Sequence, residues 1–338
     1  MIGFCLAAGA GRRLAPLTDA VPKPLLAPAG RALIDLAGVA LSEAGADRIV
    51  VNLHYGGDQI AGYLRGRSGV LLSPEPELLG TGGGLVAARR RGLLHGGDHG
   101  DDRADDDPTV VLTCADHVVD PQDLALLAAA LDRTGAPMAI GVGPGRLPPV
   151  LRLDGDRAVA DQDGGWTAAG VFALRASLLD GVEAGYSTLL DAQLEPCWLR
   201  GELVGVPMRH AWADAGTLER FLDVSAGLMA GRWPYPLPAG RLDRAAPGGP
   251  VFVAAGARLD QVAIVEGPLA VDVGATVAPG ATVARAVLGR GATVGAGASL
   301  TGSVLGPGAE VAPGERVADA LLPARPSPAG AATSPGIG

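Results

Sequence analysis

Apolar residues in the first two thirds of the chain alternate between strand-like runs and helix-like spacing. The runs predict buried strands at 2–8, 48–53, 69–72, 109–114, 137–142, 171–174 and 202–206. Apolar positions three and four apart predict helices at 32–44, 57–64, 85–94, 121–131, 187–198 and from 218 onward. Such alternation indicates an α/β fold, with a Rossmann-like, mostly parallel sheet and helices on both faces.

The pattern changes from Val253, where apolar residues recur every six positions with two five-residue steps. The repeated positions are Val253, Leu259, Val265, Val271, Val277, Val283, Leu288, Val294, Leu300, Leu305, Val311 and Val317. Glycine stands three residues after seven of them, at 256, 274, 280, 291, 297, 308 and 314. A period of six fits neither a helix nor an alternating strand and predicts hexapeptide repeats that wind about four coils of a parallel β-helix.

These changes of pattern divide the chain into four parts. Residues 1–231 form the predicted α/β domain, and 232–250, rich in proline and glycine, form a linker. Residues 251–322 form the predicted β-helix, and 323–338 are expected to be a disordered tail. A length of 338 residues suits two or three domains.

Composition narrows the class of protein. A formal net charge of −9 argues against non-specific binding of nucleic acid, so an anionic substrate would need local cations. The three cysteines are widely spaced in apolar surroundings and are expected to be buried free thiols. No apolar run is long enough to span a membrane and no signal peptide is evident, so we expect a cytoplasmic protein without a membrane partner.

A glycine turn follows the first predicted strand. Gly9 and Gly11 let the backbone turn sharply and approach a bound group, and the cations Arg12, Arg13 and Lys23 follow. Backbone N–H groups and side-chain cations converging on one anion would make a phosphate site. A tight turn is the alternative, because the third glycine of the dinucleotide motif and the lysine of the P-loop are missing from their places.

Two further stretches carry candidate chemistry. Gly80-Thr-Gly-Gly-Gly84 precedes a predicted helix, which suggests either a ligand contact or a flexible turn. Asp116 follows the strand at 109–114, where α/β sheets bind ligands, and Asp214 precedes the helix from 218. Together these aspartates would suit a hard divalent cation, whereas the acidic stretch 95–107 is read as a solvated loop.

The string L-A-A-G-x-G-x-R-L-x-P-L-T from Leu6 to Thr18, followed by P-K-P-L at 22–25, resembles the signature of the sugar-phosphate nucleotidylyltransferases. This resemblance implies that the glycine loop wraps the nucleotide phosphates and that Arg13 and Lys23 act in catalysis by neutralising the reacting phosphate. It also implies a nucleotide site made of both glycine stretches. Its residues would be Leu6, Ala7, Ala8, Gly9, Gly11, Gly80, Thr81, Gly82 and Gly83.

The resemblance extends to the metal and the sugar phosphate. It implies that Asp116 and Asp214 hold Mg²⁺, with Asp214 inside a W-x-D-x-G-T element, and that Asp116 and Gly170 contact the sugar phosphate. Gly170 closes the stretch 167–170, where relatives have a small-residue turn. There are two departures. Cys114-Ala115 replaces the usual Asn-Gly before the aspartate, and no Glu-Lys-Pro element follows the hairpin predicted at 150–160.

The function implied is formation of an NDP-sugar and pyrophosphate from an NTP and a sugar 1-phosphate. Asn52-Leu-His-Tyr55 resembles the mannose-1-phosphate guanylyltransferase branch and favours GTP with mannose 1-phosphate. Glucose 1-phosphate with UTP or dTTP is the near alternative. A catalytically silent subunit that senses sugar nucleotides is a second, favoured by the two departures. In this family a left-handed β-helix commonly mediates oligomer contacts, which predicts a homo-oligomer or a pairing with a paralogue.

Overall fold

The computed structural model describes residues 1–96, 107–145, 150–161, 163–188 and 195–323. The predicted tail, apart from residue 323, and most of the acidic stretch 95–107 lie outside these ranges. The chain forms two compact units. The first contains Met1–Gly11, Pro22–Leu25 and Ala32–Ala215, and the second contains Arg12–Val21, Leu26–Arg31 and the chain from Gly216 onward.

Seven helices form in the described parts of the chain. They are α1 Leu17–Ala20, α2 Leu33–Glu43, α3 Gly57–Leu64, α4 Gly80–Arg90, α5 Pro121–Thr134, α6 Glu195–Leu199 and α7 Leu218–Ala230, with 3₁₀ turns at Arg12–Leu14, Lys23–Leu25 and Ala176–Leu179. The Asp120 side chain caps α5 by accepting the N–H of Gln122, and Thr217 caps α7 in the same way. Both helices end at a glycine in the left-handed region, as the sequence pattern favours.

The first unit is built on a nine-stranded sheet. Its chain provides β1 Ile2–Leu6, β2 Arg48–Leu53, β3 Val70–Pro74, β4 Thr109–Cys114, β5 His117–Val118, β6 Met138–Pro144, β7 Val150–Asp154, β8 Arg157–Ala160, β9 Trp166–Arg175, β10 Leu203–Pro207 and β11 Ala213–Asp214. The sheet order is β3-β2-β1-β4-β9-β6-β10-β8-β7. Neighbours from β3 to β4 are parallel, as are β6 and β10, whereas β9 is antiparallel to β4 and β6. β5 and β11 form a separate antiparallel pair.

Helices cover both faces of this sheet. Phe4 on β1 packs in one core cluster with Leu85 and Val86 of α4. Its neighbour Gly3 faces the opposite side, where a side chain at position 3 would touch Leu41 of α2. Because successive strand residues point to opposite faces, α4 and α2 lie on opposite sides of the sheet, which confirms the predicted α/β arrangement.

Three local predictions differ from the structure, the third of them only in part. α4 begins at Gly80 rather than at 85. Its glycines favour a turn by propensity, but burial of the apolar face of the helix keeps them helical. The small residues 167–170 lie within β9, where the register against β6 shifts and Gly170 adopts a φ of 73°. The structure describes only 195–199 of the helix predicted at 187–198, with 187 and 188 not helical and 189–194 outside the described residues.

The described residues of the second unit continue with twelve short strands. They are β12 Gly240–Asp243, β13 Val251–Ala254, β14 Arg258–Leu259, β15 Ile264–Val271, β16 Thr276–Val277, β17 Thr282–Leu288, β18 Thr293–Val294, β19 Ser299–Thr301, β20 Val304–Leu305, β21 Glu310–Val311, β22 Arg316–Ala318 and β23 Leu321–Leu322. The stretch predicted as a linker is ordered, because β12 pairs with β13 and both Trp233 and Tyr235 are buried. α7 also belongs to this unit.

Parallel pairing in the second unit follows the six-residue repeat. β14 pairs with β16, β16 with β18 and β18 with β21, each partner 17 or 18 residues farther along the chain. The repeated aliphatic residues from Val271 to Val311 are all buried in one core, and the seven predicted turn glycines all have positive φ. This arrangement is compatible with a parallel β-helix.

Among the described residues, no helix combines the length and apolar character needed to cross a lipid bilayer.

Candidate active site

The candidate site is built where β1 and β4 end. These strands are parallel and in register, with Leu6 opposite Cys114, and the N–H of Ala115 donates to the carbonyl oxygen of Leu6 (2.9 Å). The loop that begins at Ala7 and the turn that carries Asp116 therefore leave the sheet side by side. This edge, the carboxyl end of parallel strands, is where α/β sheets bind ligands.

Lys23 is the only lysine in the sequence, and it forms an ion pair with Asp116. Both side chains are largely buried. Burial alone would raise the pKa of Asp116, but attraction to His117 and Lys23 and the hydrogen bond from Lys23 outweigh it and lower that pKa. The site thus holds an ionised carboxylate beside a cation, an arrangement that can exchange partners with a phosphate and a metal ion.

Asp214 reaches the same place through the short antiparallel pair of β5 and β11. In this pair Asp214 lies opposite His117, and the next N–H, of Ala215, donates to the carbonyl oxygen of Asp116 (2.9 Å). Two aspartates nearly a hundred residues apart in sequence are therefore gathered around His117. Oxygen donors from two carboxylates are the set that Mg²⁺ prefers, so these residues fit the implied ion.

His117 packs against Gly170. A side chain at position 170 would come within 2.2 Å of the imidazole Cε1, and Gly170 also has a φ of 73°, so glycine is required there twice over. Burial lowers the pKa of His117, although Asp116 and Asp214 act in the opposite sense. His117 is therefore neutral at pH 7, and its Nδ1 has no hydrogen-bond partner in the described part of the chain.

Asp123 is a site residue that the sequence analysis does not predict. It lies in the first turn of α5 with a side chain 1% exposed, and it accepts the backbone N–H groups of Arg209 and His210, both at 3.0 Å. These bonds fix the segment that leads into β11 and Asp214. Its position in a first helical turn reads as ordinary capping, so the sequence carries no signal of this distant role.

A buried polar network supports the loop after β1. The N–H of Ala7 donates to Asn52 Oδ1 (2.7 Å), and Asn52 Nδ2 donates to Glu75 Oε1 (2.8 Å). Glu75 Oε2 accepts the N–H of Leu79 (3.1 Å), just before α4. A side chain at Gly84 would lie 2.6 Å from Glu75 Oε1, which explains that glycine. Glu75 is a second residue that the sequence analysis does not predict.

The glycine stretch of α4 is contacted by another backbone segment of the protein. The N–H groups of Gly82 and Gly83 donate to the carbonyl oxygen of Ser187 (3.0 and 3.2 Å). A side chain at Gly83 would lie 2.1 Å from the carbonyl oxygen of Gly185, and one at Gly80, where φ is 72°, would lie 2.5 Å from that of Ser187. Close approach by the segment 185–187 therefore accounts for glycine at both positions.

The remaining predicted residues are placed as follows. Leu6 ends β1, Ala7 and Ala8 are buried, Thr81 lies in the first turn of α4, and Gly11 has a φ of 63°. Arg13 belongs to the second unit, where it is exposed. All three cysteines are free: Cys5 and Cys197 are buried as predicted, whereas Cys114 is partly exposed.

The chain is similar to several known proteins. Residues 3–213 match the MobA-like NTP transferase domain. An N-acetylmuramate alpha-1-phosphate uridylyltransferase from Neisseria meningitidis is 32% identical over 243 residues, which are 69% of this chain and 100% of that protein. A protein of the same name from Caulobacter vibrioides is 41% identical over 94 residues, 26% of this chain and 39% of that protein.

A mannose-1-phosphate guanylyltransferase from Mycobacterium tuberculosis is 27% identical over 298 residues, 84% of this chain and 78% of that protein. The domain match covers more than half of the chain, and it includes the glycine loop, Lys23 and Asp116. The resemblance predicted from the signature is thereby confirmed, and the chain belongs to the MobA-like NTP transferase family as a sugar-phosphate nucleotidylyltransferase.

Proposed function

We propose that this enzyme joins GTP and mannose 1-phosphate to give GDP-mannose and pyrophosphate. The observation that supports this choice is the match to the guanylyltransferase, which spans 84% of the chain and so extends beyond the NTP transferase domain. The second candidate is uridylyl transfer to N-acetylmuramate 1-phosphate. It is favoured by the higher identity, 32%, to a uridylyltransferase that is covered over its whole length.

The reaction is an in-line displacement at the α-phosphorus of the NTP. An oxygen of the sugar phosphate forms a new P–O bond there, and the bond to pyrophosphate breaks, so no protein nucleophile is required. Positioning and charge neutralisation supply the rate enhancement in phosphoryl-transfer chemistry of this kind. The buried pair of Lys23 and Asp116 supports these roles, because both charges are held in place before substrate binds.

Each proposed residue has a defined task. Lys23 exchanges its bond to Asp116 for a phosphate oxygen, and Arg13, the other cation of the signature, has the task of neutralising the reacting phosphate. Gly9 and Gly11, with the neighbouring residues 6–8, let the backbone approach the nucleotide. The segment 80–83 contacts the base and ribose once the N–H groups bound to Ser187 are released, and Gly170 leaves room for the sugar phosphate.

Mg²⁺ is the proposed cofactor, held by Asp116 and Asp214. When bound, it would neutralise charge on both substrates and orient the attacking oxygen. The fit rests on the donor chemistry, since Asp116 and Asp214 both offer carboxylate oxygens and Asp214 pairs with His117, the residue next to Asp116. Asp123 keeps Asp214 in place by holding the backbone of residues 209 and 210.

The decisive experiment is a matrix of GTP, UTP, dTTP, ATP and CTP against mannose, glucose and N-acetylmuramate 1-phosphates, with pyrophosphate release as the readout. We expect GTP with mannose 1-phosphate to give the highest kcat/KM. A preference for UTP with N-acetylmuramate 1-phosphate would establish the second candidate. Silence across the matrix, with sugar-nucleotide binding still visible by calorimetry, would indicate a regulatory subunit instead.

We further propose that the repeats of the second unit form a left-handed β-helix through which two or more copies of the chain associate. Val262 and Ile264 support this surface, because they are 70% and 64% exposed beside the first repeats. Sedimentation of the full chain tests the proposal, with Val262→Ser combined with Ile264→Ser as the variant. We expect the variant to sediment as a smaller species, and a wild-type monomer would overturn the proposal.

A further inference from the structure

Three side chains of different chemistry meet at the end of β4. The Cys114 sulfur, a carboxylate oxygen of Asp116 and a ring nitrogen of His117 all lie within 4.8 Å of one another. All three residues are partly exposed, although the Nδ1 atom of His117 is itself buried. The set shares Asp116 with the proposed magnesium ligands and differs from them by containing a thiol and an imidazole.

Two of these groups have no other task in the described residues. Cys114 is a free thiol, and Nδ1 of His117 is buried without a hydrogen-bond partner. A buried polar atom without a partner is costly and calls for an explanation. His117 is also held in place, since its ring packs against the backbone of Gly170. A metal ion coordinated by Nδ1 of His117 and by the sulfur of Cys114 would give both groups a partner.

Sulfur, nitrogen and oxygen donors together are typical of zinc, whereas Mg²⁺ prefers oxygen alone. With Zn–S of about 2.3 Å and Zn–N of about 2.0 Å, neighbouring ligand atoms in a tetrahedral site stand roughly 3.5 Å apart. The three atoms lie within 4.8 Å of one another, so each pair needs to approach by up to about 1.3 Å. Water molecules would complete the coordination.

We propose that Cys114, Asp116 and His117 form a binding site for a thiophilic divalent cation such as Zn²⁺. On binding, the hydrated ion gives up water, the Cys114 S–H bond breaks with release of its proton to solvent, and a Zn–S bond forms. Asp116 exchanges its ion pair with Lys23 for a bond to the metal. The imidazole of His117 binds as the neutral ring.

The consequence for catalysis rests on the proposed function. Asp116 is shared between the thiophilic site and the proposed magnesium site, and Lys23 loses its partner when zinc binds. Zn²⁺ therefore inhibits pyrophosphate release, in competition with Mg²⁺. Replacement of the sulfur by oxygen in Cys114→Ser weakens the zinc site while the carboxylates remain, so the half-inhibitory Zn²⁺ concentration rises by about tenfold or more.

Cobalt absorption tests the site without any assay of activity. Co²⁺ added to the reduced, metal-free full chain is expected to give visible d–d bands and a thiolate-to-cobalt charge-transfer band in the near ultraviolet, with one ion bound per chain. Zn²⁺ should abolish both signals, and millimolar Mg²⁺ should not. Absence of the charge-transfer band in the wild type would overturn the proposal.

Variants assign the ligands. Cys114→Ser should lose the charge-transfer band, and His117→Gln should weaken cobalt binding, with circular dichroism to confirm that each variant is folded. Cys197→Ser is the matched control, because Cys197 is a buried free thiol outside the site. A band that persists in Cys114→Ser but disappears in Cys197→Ser would refute the assignment.

The spectrum also separates this proposal from the proposed function. If no substrate pair gives pyrophosphate but the charge-transfer band forms and depends on Cys114, the thiophilic site stands and the proposed function fails. If pyrophosphate is released and the band is absent, the reverse holds.

Discussion

Lys23 and Asp116 form an ion pair although their side chains are only 10% and 21% exposed. Desolvation makes such a pair sensitive to the loss of either partner, because the remaining charge is left without compensation. The pair lies at the end of β4, where the parallel strands open towards a ligand. On the proposed mechanism, stability and catalysis depend on the same two side chains.

Lys23→Met is expected to destabilise the protein by about 3 kcal/mol and to lower pyrophosphate release roughly 100-fold, because Asp116 and the reacting phosphate both lose their cation. Urea unfolding and the pyrophosphate assay measure the two effects. Lys23→Arg is the matched control: it should recover most of the stability but not the activity, since a planar guanidinium cannot replace a compact ammonium. Wild-type turnover by Lys23→Met would contradict the role of Lys23.

Stability should fall as the pH drops below about 6.5, the ordinary pKa of histidine. Burial lowers the pKa of His117, so below that value the unfolded chain takes up a proton that the folded chain does not. The slope reaches at most about 1.4 kcal/mol per pH unit. Urea unfolding between pH 5 and 8 should show a flatter dependence for His117→Gln.

His95→Gln serves as the control for that experiment, because His95 is exposed and outside the candidate site. Comparison of the two variants isolates the contribution of His117. The lowered pKa of Asp116 acts in a different window, since its contribution is lost only as the pH falls below about 4. An identical slope in wild type and His117→Gln would show that His117 titrates normally.

Asp123→Ala should lower the free energy of unfolding by about 3 kcal/mol, because two backbone N–H groups lose a charged acceptor. It should also raise the Mg²⁺ concentration needed for half-maximal activity, since the segment before Asp214 is released. Asp132→Ala on the same helix is the control, because that side chain is 71% exposed and its ion pair contributes at most about 1 kcal/mol. Equal stabilities for the two variants would refute this positioning role.

Gly83→Ala should cost about 1–3 kcal/mol, because the new methyl group would lie 2.1 Å from the carbonyl oxygen of Gly185. Hydrogen exchange should show faster opening of residues 185–188. Gly38→Ala is the matched control within α2, where no atom lies within 4 Å of the added carbon. It should stabilise the protein by about 0.5–1 kcal/mol, as alanine does in a helix. If both variants stabilise the protein, the segment 185–187 moves aside at little cost in free energy.

The sequence predicts what depends on local pattern. The six-residue repeat identifies the buried aliphatic residues from Val271 to Val311 and the turn glycines between them. The strand at 48–53 and the helix at 57–64 have the predicted bounds, because their apolar spacing is unambiguous. The signature loop identifies the family for the same reason, since its residues are contiguous.

Long-range relationships are beyond such reasoning. Nothing local indicates that the Ser187 carbonyl meets the N–H groups of α4, or that Asp123 holds residues 86 and 87 positions away. The stretch 232–250 reads as a linker by composition, yet it places Trp233 and Tyr235 in the core. Here tertiary packing decides the structure against local preference.

Because the chain contains a single lysine, labelling with an amine reagent becomes selective for one side chain. Apart from the histidines, the other basic residues of the chain are all arginines. A reagent that acylates ε-amines therefore has a single side-chain target, Lys23, which pairs with Asp116. After proteolysis, the acylated fraction of the peptide that contains Lys23 reports how often Lys23 is released from its partner, separately from the α-amine of Met1. Substrates that bind Lys23 would slow the labelling. The reactivity of this one nitrogen atom therefore measures how much of the site is occupied by substrate.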